Sequence, residues 1–141
     1  MTATETRSVV VEREFPHAPA KLWRALTEPH LMAEWLMKND FAPQVGHRFQ
    51  LTGEWGGTLD CEVLEIEREK SLAYTWNFKH ADPAYDLESI VTFTLTPTPN
   101  GTILRMEQDG FRPNQKQALG GATAGWNQMF EKLGQLLAKP D

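Results

Sequence analysis

Leu119, Thr123, Trp126, Phe130, Leu133 and Leu137 follow one another at intervals of four, three, four, three and four residues. On an α-helix that spacing lays them along one stripe. It predicts a closing helix from Leu119 to Ala138 whose bulky face needs a cover. Upstream the period changes to two, the spacing of a β-strand with one buried face. Phe49 and Leu51 share a face, as do Leu59, Cys61 and Val63, then Leu72, Tyr74, Trp76 and Phe78. Two further runs follow: Ser89, Val91, Phe93 and Leu95, then Thr102, Leu104, Met106 and Gln108. Apolar residues switch phase at Val63 and Leu64, which predicts a β-bulge that bends the sheet. Short turn signals such as Gly56-Gly57 and the 97–101 segment make neighbouring strands antiparallel.

The first third of the chain is built differently. Val9, Val11, Arg13 and Phe15 alternate as a strand that Pro16 stops. Pro19 and Pro29 each suit the first turn of a short helix, carrying Leu22, Trp23 and Leu26, then Leu31, Met32, Trp35 and Leu36. Residues 39–46 read as loop. The pattern therefore predicts an α+β fold: one strand, two short helices, about five more antiparallel strands, and a long helix on the sheet. Residues 8–141 are expected to form a single domain, and the polar residues 1–7 a disordered tail.

Composition narrows the chemistry. The 141 residues carry a net charge of -5 with no cluster of Lys and Arg, which argues against a nucleic-acid partner. No apolar run approaches a membrane span, and the N-terminus does not read as a leader, so no membrane insertion and a cytoplasmic location are expected. Cys61 is the single cysteine. His17, His30, His47 and His80 are scattered without ligand spacing, so neither metal nor other cofactor is expected. No nucleophile elbow, zinc-protease helix, phosphate loop or dinucleotide fingerprint occurs.

Four segments in this order form a recognisable set: FPHAPAKLWRALTEPHLMAEW at 15–35, GGTLDCEVLEIEREKSLAYTW at 56–76, NGTILRMEQDGF at 100–111, and Gly125-Trp126 with its following Leu/Phe spacing. Together they resemble the START-like helix-grip superfamily, often called SRPBCC, and within it the activator of heat-shock-protein ATPase (C-terminal domain) group. The resemblance implies a curved antiparallel sheet wrapped around the C-terminal helix, with a cavity between them. Gln108 stands where relatives often have His, which removes any imidazole chemistry at that place. No counterpart of the additional N-terminal domain of the eukaryotic co-chaperones is expected in these 141 residues.

The cavity-lining candidates follow from strand parity and the helix stripe: Phe49, Cys61, Tyr74, Trp76, Phe78, Ser89, Phe93, Met106, Gln108, Trp126, Met129 and Phe130. Trp35, Phe41 and Trp55 lie near loops and suit either a rim or ordinary corner packing. Every aromatic in the set could equally be plain core. The function expected is binding of a small hydrophobic or amphipathic molecule. A cyclase- or hydrolase-type enzyme, with Tyr74, Ser89 and Gln108 positioning substrate, is the alternative. A chaperone-activator-like interaction protein, making chaperone or homodimer contacts, is a third.

Overall fold

The computed structural model describes residues 6–54, 56–79, 81–82 and 86–139. Its elements in chain order are β1 (Arg7–Phe15), α1 (Pro19–Thr27), α2 (Pro29–Trp35), β2 (Lys38–Asn39), β3 (Arg48–Thr52), β4 (Thr58–Glu67), β5 (Ser71–Phe78), β6 (Leu87–Thr98), β7 (Gly101–Phe111) and α3 (Lys116–Ala138). The strands form one sheet in the order β1-β7-β6-β5-β4-β3-β2, antiparallel throughout. This is the helix-grip arrangement the resemblance implies. Two boundaries differ from the sequence expectation. Arg7 pairs with Phe111 and so belongs to β1 rather than to the tail. Lys38 and Asn39 add a two-residue strand against Thr52 and Leu51, where the prolines and glycine nearby suggested only loop.

Local chemistry accounts for the corner between β1 and β3. Pro19 and Pro29 occupy the first turns of α1 and α2, where their fixed φ and missing N–H cost nothing. Glu28 is shared: its backbone N–H caps the end of α1 on the Arg24 carbonyl, and its extended backbone starts α2. The turn therefore admits no linker, and the helices meet as a rigid elbow. Trp35 at its end donates from Nε1 to the Ala25 carbonyl at 2.8 Å, locking one helix to the other.

The period-two faces are all turned inward. Phe49, Leu51, Leu59, Cys61, Val63, Leu72, Tyr74, Trp76, Val91, Phe93, Leu95, Leu104 and Met106 are buried, with Ser89, Thr102 and Gln108 beside them. The expected bulge is present: β4 pairs Val63 with Tyr74 and then Glu65 with Ala73, which leaves Leu64 as the extra residue. The insertion turns Leu64 outward and returns Ile66 to the core side, opposite Leu72. Gly110 has φ +130, and a Cβ there would lie 2.3 Å from the Glu88 carbonyl oxygen. Only glycine lets β7 run this close to β6 beside Ser89.

The helix α3 covers this face with Trp126, Phe130, Leu133 and Leu137, all buried. Its backbone comes nearest to β1, α1 and α2. Phe130 meets the Phe15 ring at 6.1 Å. The stripe does not continue unbroken into the first turns. Leu119 is half-buried, while Thr123 is exposed and its hydroxyl donates back to the Leu119 carbonyl at 2.9 Å. A side chain one turn before Trp126 thus looks at solvent rather than at the sheet.

Truncating Phe130 to Ala removes a fully buried ring from the helix-sheet contact, and is expected to cost about 3–5 kcal/mol in denaturant unfolding.

Candidate ligand-binding site

The inner face carries a continuous chain of aromatic rings. Phe41 meets Phe49 edge-on at 5.1 Å, and Phe49 meets Tyr74 edge-on at 5.1 Å. Tyr74 lies 6.0 Å from Phe93, which is 5.8 Å from Trp126. Trp126 in turn touches Trp76 at 5.1 Å and Phe130 at 6.4 Å. Tilted and edge-to-face contacts of this kind are the favoured geometries of aromatic pairs. Strands β3, β5 and β6 and helix α3 each contribute to the chain, so its order depends on the sheet register as a whole.

Most of the residues expected to line a cavity come together here. Phe49, Cys61, Tyr74, Trp76, Ser89, Phe93, Met106, Gln108, Trp126 and Phe130 are buried between sheet and helix. Phe78 and Met129 are half-buried against the margin of the same cluster. Trp35 and Phe41 belong to the interior rather than to a rim. Trp35 is 1 % exposed and stands edge-on to Phe93 at 6.3 Å, because the α1–α2 elbow points it under the sheet. Trp55 and His80 lie outside the described residues.

The polar members are organised as a relay. Trp126 donates from Nε1 to Gln108 Oε1 at 2.8 Å, Gln108 Nε2 donates to Ser89 Oγ at 3.0 Å, and Ser89 Oγ donates to the Trp76 carbonyl at 2.6 Å. An amide side chain suits this place because it accepts and donates at once. Ser89 and Gln108 are therefore engaged in holding α3 and β5 to the sheet. The other buried polar residues among those described are Thr27, Thr102 and Gln115, so no carboxylate, amine, guanidinium or imidazole is buried in the ring chain, although the half-buried His47 ring stacks on Phe49 at 6.2 Å from outside it.

Burial also sets the ionisation of the two acidic groups in the cluster. The Cys61 thiol is pushed up to about 12, chiefly by desolvation and then by the nearby Asp60 and Asp40. The Tyr74 hydroxyl is raised well above 10.0, again mainly by desolvation and then by Cys61. Both groups are neutral at physiological pH. A thiol in that state is a poor nucleophile.

Two clefts flank the cluster. One of about 360 Å³ lies between α1, α2 and the end of α3, floored by Ala25, Leu31, Leu136 and Leu137. The other, about 210 Å³, is formed by Asp60, Asn77, Phe78, Lys79, Asp86, Leu87 and Glu88, so it reaches Phe78 at the margin of the hydrophobic core. Beside it the start of α3 is tied down. The Asp86 carbonyl accepts from Gln115 Nε2 at 2.8 Å and from Arg112 Nη2 at 3.1 Å. Gln115 Oε1 also accepts the Arg112 backbone N–H at 2.8 Å. Sequence reasoning did not find this knot, since its members follow no hydrophobic period and sit in connections.

A curved antiparallel sheet closed by a long C-terminal helix, with two short helices after the first strand, defines a START-like helix-grip protein. Within that class, the chain belongs to the family described as activator of Hsp90 ATPase homolog 1-like protein, whose family model matches residues 16–138. Among solved structures it is similar to protein MLL2253 from Mesorhizobium loti, at 67% identity and a TM-score of 0.93, covering 96% of this chain and 99% of that one. Protein BH1534 from Bacillus halodurans shares 25% identity and a TM-score of 0.78 over 96% of this chain and 99% of its own. DynU16, from the dynemicin biosynthetic locus, is 24% identical with a TM-score of 0.81. That match covers 92% of this chain but 46% of DynU16, and it shows likeness of fold. No curated protein matches at a significant level. Among the described residues no helix is long and apolar enough to cross a membrane, and no group of residues is arranged to hold a metal ion.

Replacing Gln108 with Leu keeps the volume but strands the Trp126 indole N–H, and equilibrium unfolding is expected to show a loss of about 1–3 kcal/mol. Alkali tests the buried thiol. Cys61 ionises near 9.0 when unfolded and at about 12 when folded, so between those values the unfolded chain gives up a proton that the folded chain retains. Its contribution is whole below pH 9 and is lost as the pH rises toward 12, and the raised Tyr74 acts in the same direction. Denaturant unfolding across this window should show falling stability, with a shallower fall in Cys61→Ala.

Proposed function

We propose that the protein binds a small hydrophobic or amphipathic molecule between the inner sheet face and α3. The observation that carries this reading is the unbroken ring chain from Phe41 to Trp126, contributed by sheet and helix and accompanied by no buried charge among the described residues. Apolar walls with a few fixed polar groups are the usual make-up of small-molecule sites. Family membership supports it as well, since helix-grip proteins are commonly ligand-binding or cyclase-like.

Binding is favoured over catalysis by the same interior. Acid-base chemistry needs a titratable group within reach of the substrate. Here the thiol and the phenol are held neutral, and Ser89 and Gln108 are committed to Trp76 and Trp126. A chaperone contact has only the family description behind it. The cleft beside Phe78 and the start of α3 supply the route we assign for entry: the cleft reaches Phe78 at the margin of the core, and the exposed Thr123 leaves the first half of the helix lightly packed.

Native mass spectrometry of gently purified protein, together with a thermal-shift screen of lipids, aromatic compounds and polyketides, tests this function. Co-purified mass or a concentration-dependent rise in Tm is expected. An empty protein that no compound in a broad panel stabilises would overturn the proposal.

A further inference from the structure

The ligand can be narrowed by asking which interior polar group still has bonding capacity. This inference rests on the cavity reading above. Tyr74, Trp76, Ser89 and Gln108 are the side chains with a hydrogen-bonding group that the sheet turns into the ring cluster. The Trp76 indole N–H bonds no described residue, but that ring lies at the margin against Trp126, away from Phe41, Phe49 and Phe93. Ser89 and Gln108 are held in the relay between Trp126 and the Trp76 carbonyl. The Tyr74 hydroxyl makes no hydrogen bond to any described residue. Yet every wholly enclosed side-chain nitrogen or oxygen among the described residues has a partner. The two facts agree only if the Tyr74 oxygen is not wholly sealed by protein, although the residue as a whole is 1 % exposed.

A phenol placed this way is costly unless something accepts its proton. Its ring neighbours Phe41, Phe49 and Phe93 offer no lone pair. The neighbouring thiol of Cys61 is at best a weak partner. Burial keeps the phenol protonated, so it acts as a donor. The same surroundings decide what charge a ligand can carry. An ion brought here would be stripped of water with no buried counter-charge among the described residues, a cost of several kcal/mol per ion in a protein interior.

We propose that the site takes an uncharged, ring-bearing molecule with a carbonyl oxygen, and that this oxygen accepts the hydrogen bond of Tyr74. The rings of the ligand pack edge-on against Phe41, Phe49 and Phe93, and the Tyr74 bond sets which end of the molecule enters first. Tyr74 is then a specificity-determining residue, and Ser89 and Gln108 are framework.

Three probes of similar shape separate these claims: benzophenone, its hydrocarbon counterpart diphenylmethane, and the anionic 4-benzoylbenzoate. Their affinities would be measured by calorimetric titration of the whole chain and of Tyr74→Phe, with indole N–H shifts of Trp76 and Trp126 reporting entry into the interior. For the native protein, benzophenone is expected to bind about tenfold more tightly than diphenylmethane, the worth of one hydrogen bond in a dry site. The benzoate should bind most weakly of the three. In Tyr74→Phe, benzophenone should fall to the level of diphenylmethane while diphenylmethane is unchanged. Equal affinity of the native protein for ketone and hydrocarbon, a ketone preference that survives in Tyr74→Phe, or strongest binding of the benzoate would each overturn this inference and leave the cavity standing. Absence of binding by all three would overturn this inference, while the cavity reading stands or falls on the broad ligand panel. The native series needs no variant, so a folding defect in Tyr74→Phe would not rescue the idea.

Discussion

An indole N–H in the middle of an apolar interior has to find an acceptor, and the way Trp126 finds one fixes much of this molecule. The acceptor is Gln108, on the strand beside β6; Gln108 in turn leans on Ser89, and Ser89 on the backbone of β5. Three adjacent strands and the closing helix are thereby placed in one register. A slip of either strand by one residue would turn Gln108 or Ser89 to the outer face and leave the indole without a partner. The aromatic chain depends on this, because Trp126 joins the rings of the sheet to Phe130 and the helix.

That constraint also shapes what the interior can do. Polar atoms at the core of a small domain are normally either structural or functional, and here the two kinds can be told apart. Ser89 and Gln108 satisfy one another and the backbone, so they hold the architecture. Tyr74 and Cys61 stand one and two strands further along, toward Phe41 and Phe49, where no described group hydrogen-bonds them. The division lies along the sheet: anchorage under Trp126, and the proposed recognition site toward β3.

The fold was legible in the sequence because its signals are repeated. Five strands each show a period-two face, and a single register error would have contradicted the others. The bulge at Leu64 was readable for the same reason, as a break in an otherwise regular alternation. The closing helix was legible along its length, but its buried stripe only from Trp126 onward, because Thr123 satisfies the spacing of the stripe but not its chemistry. A hydroxyl that can bond its own preceding turn has no need of the core. Trp35 and Phe41 were ambiguous since their elbow and loop carry no period, and only the tertiary arrangement turns them inward. The relay through Gln108 was partly visible as three inward polar residues, yet spacing alone cannot say which of them bond to each other. Its closure, and the isolation of Tyr74 from it, needed coordinates.

The knot at Asp86 has a mechanical meaning. One carbonyl oxygen at the threshold of β6 holds both the side chain that begins α3 and the guanidinium just before it. Two restraints therefore meet at that single oxygen, which couples Asp86 to the first turn of the helix. Past that turn, Gly120, Gly121 and Gly125 have empty space where a Cβ would be, and they add compliance that packing does not demand. The helix is thus fastened at its first turn and packed on the sheet from Trp126 onward, with the glycine-bearing turns between these two points the least committed to any neighbour.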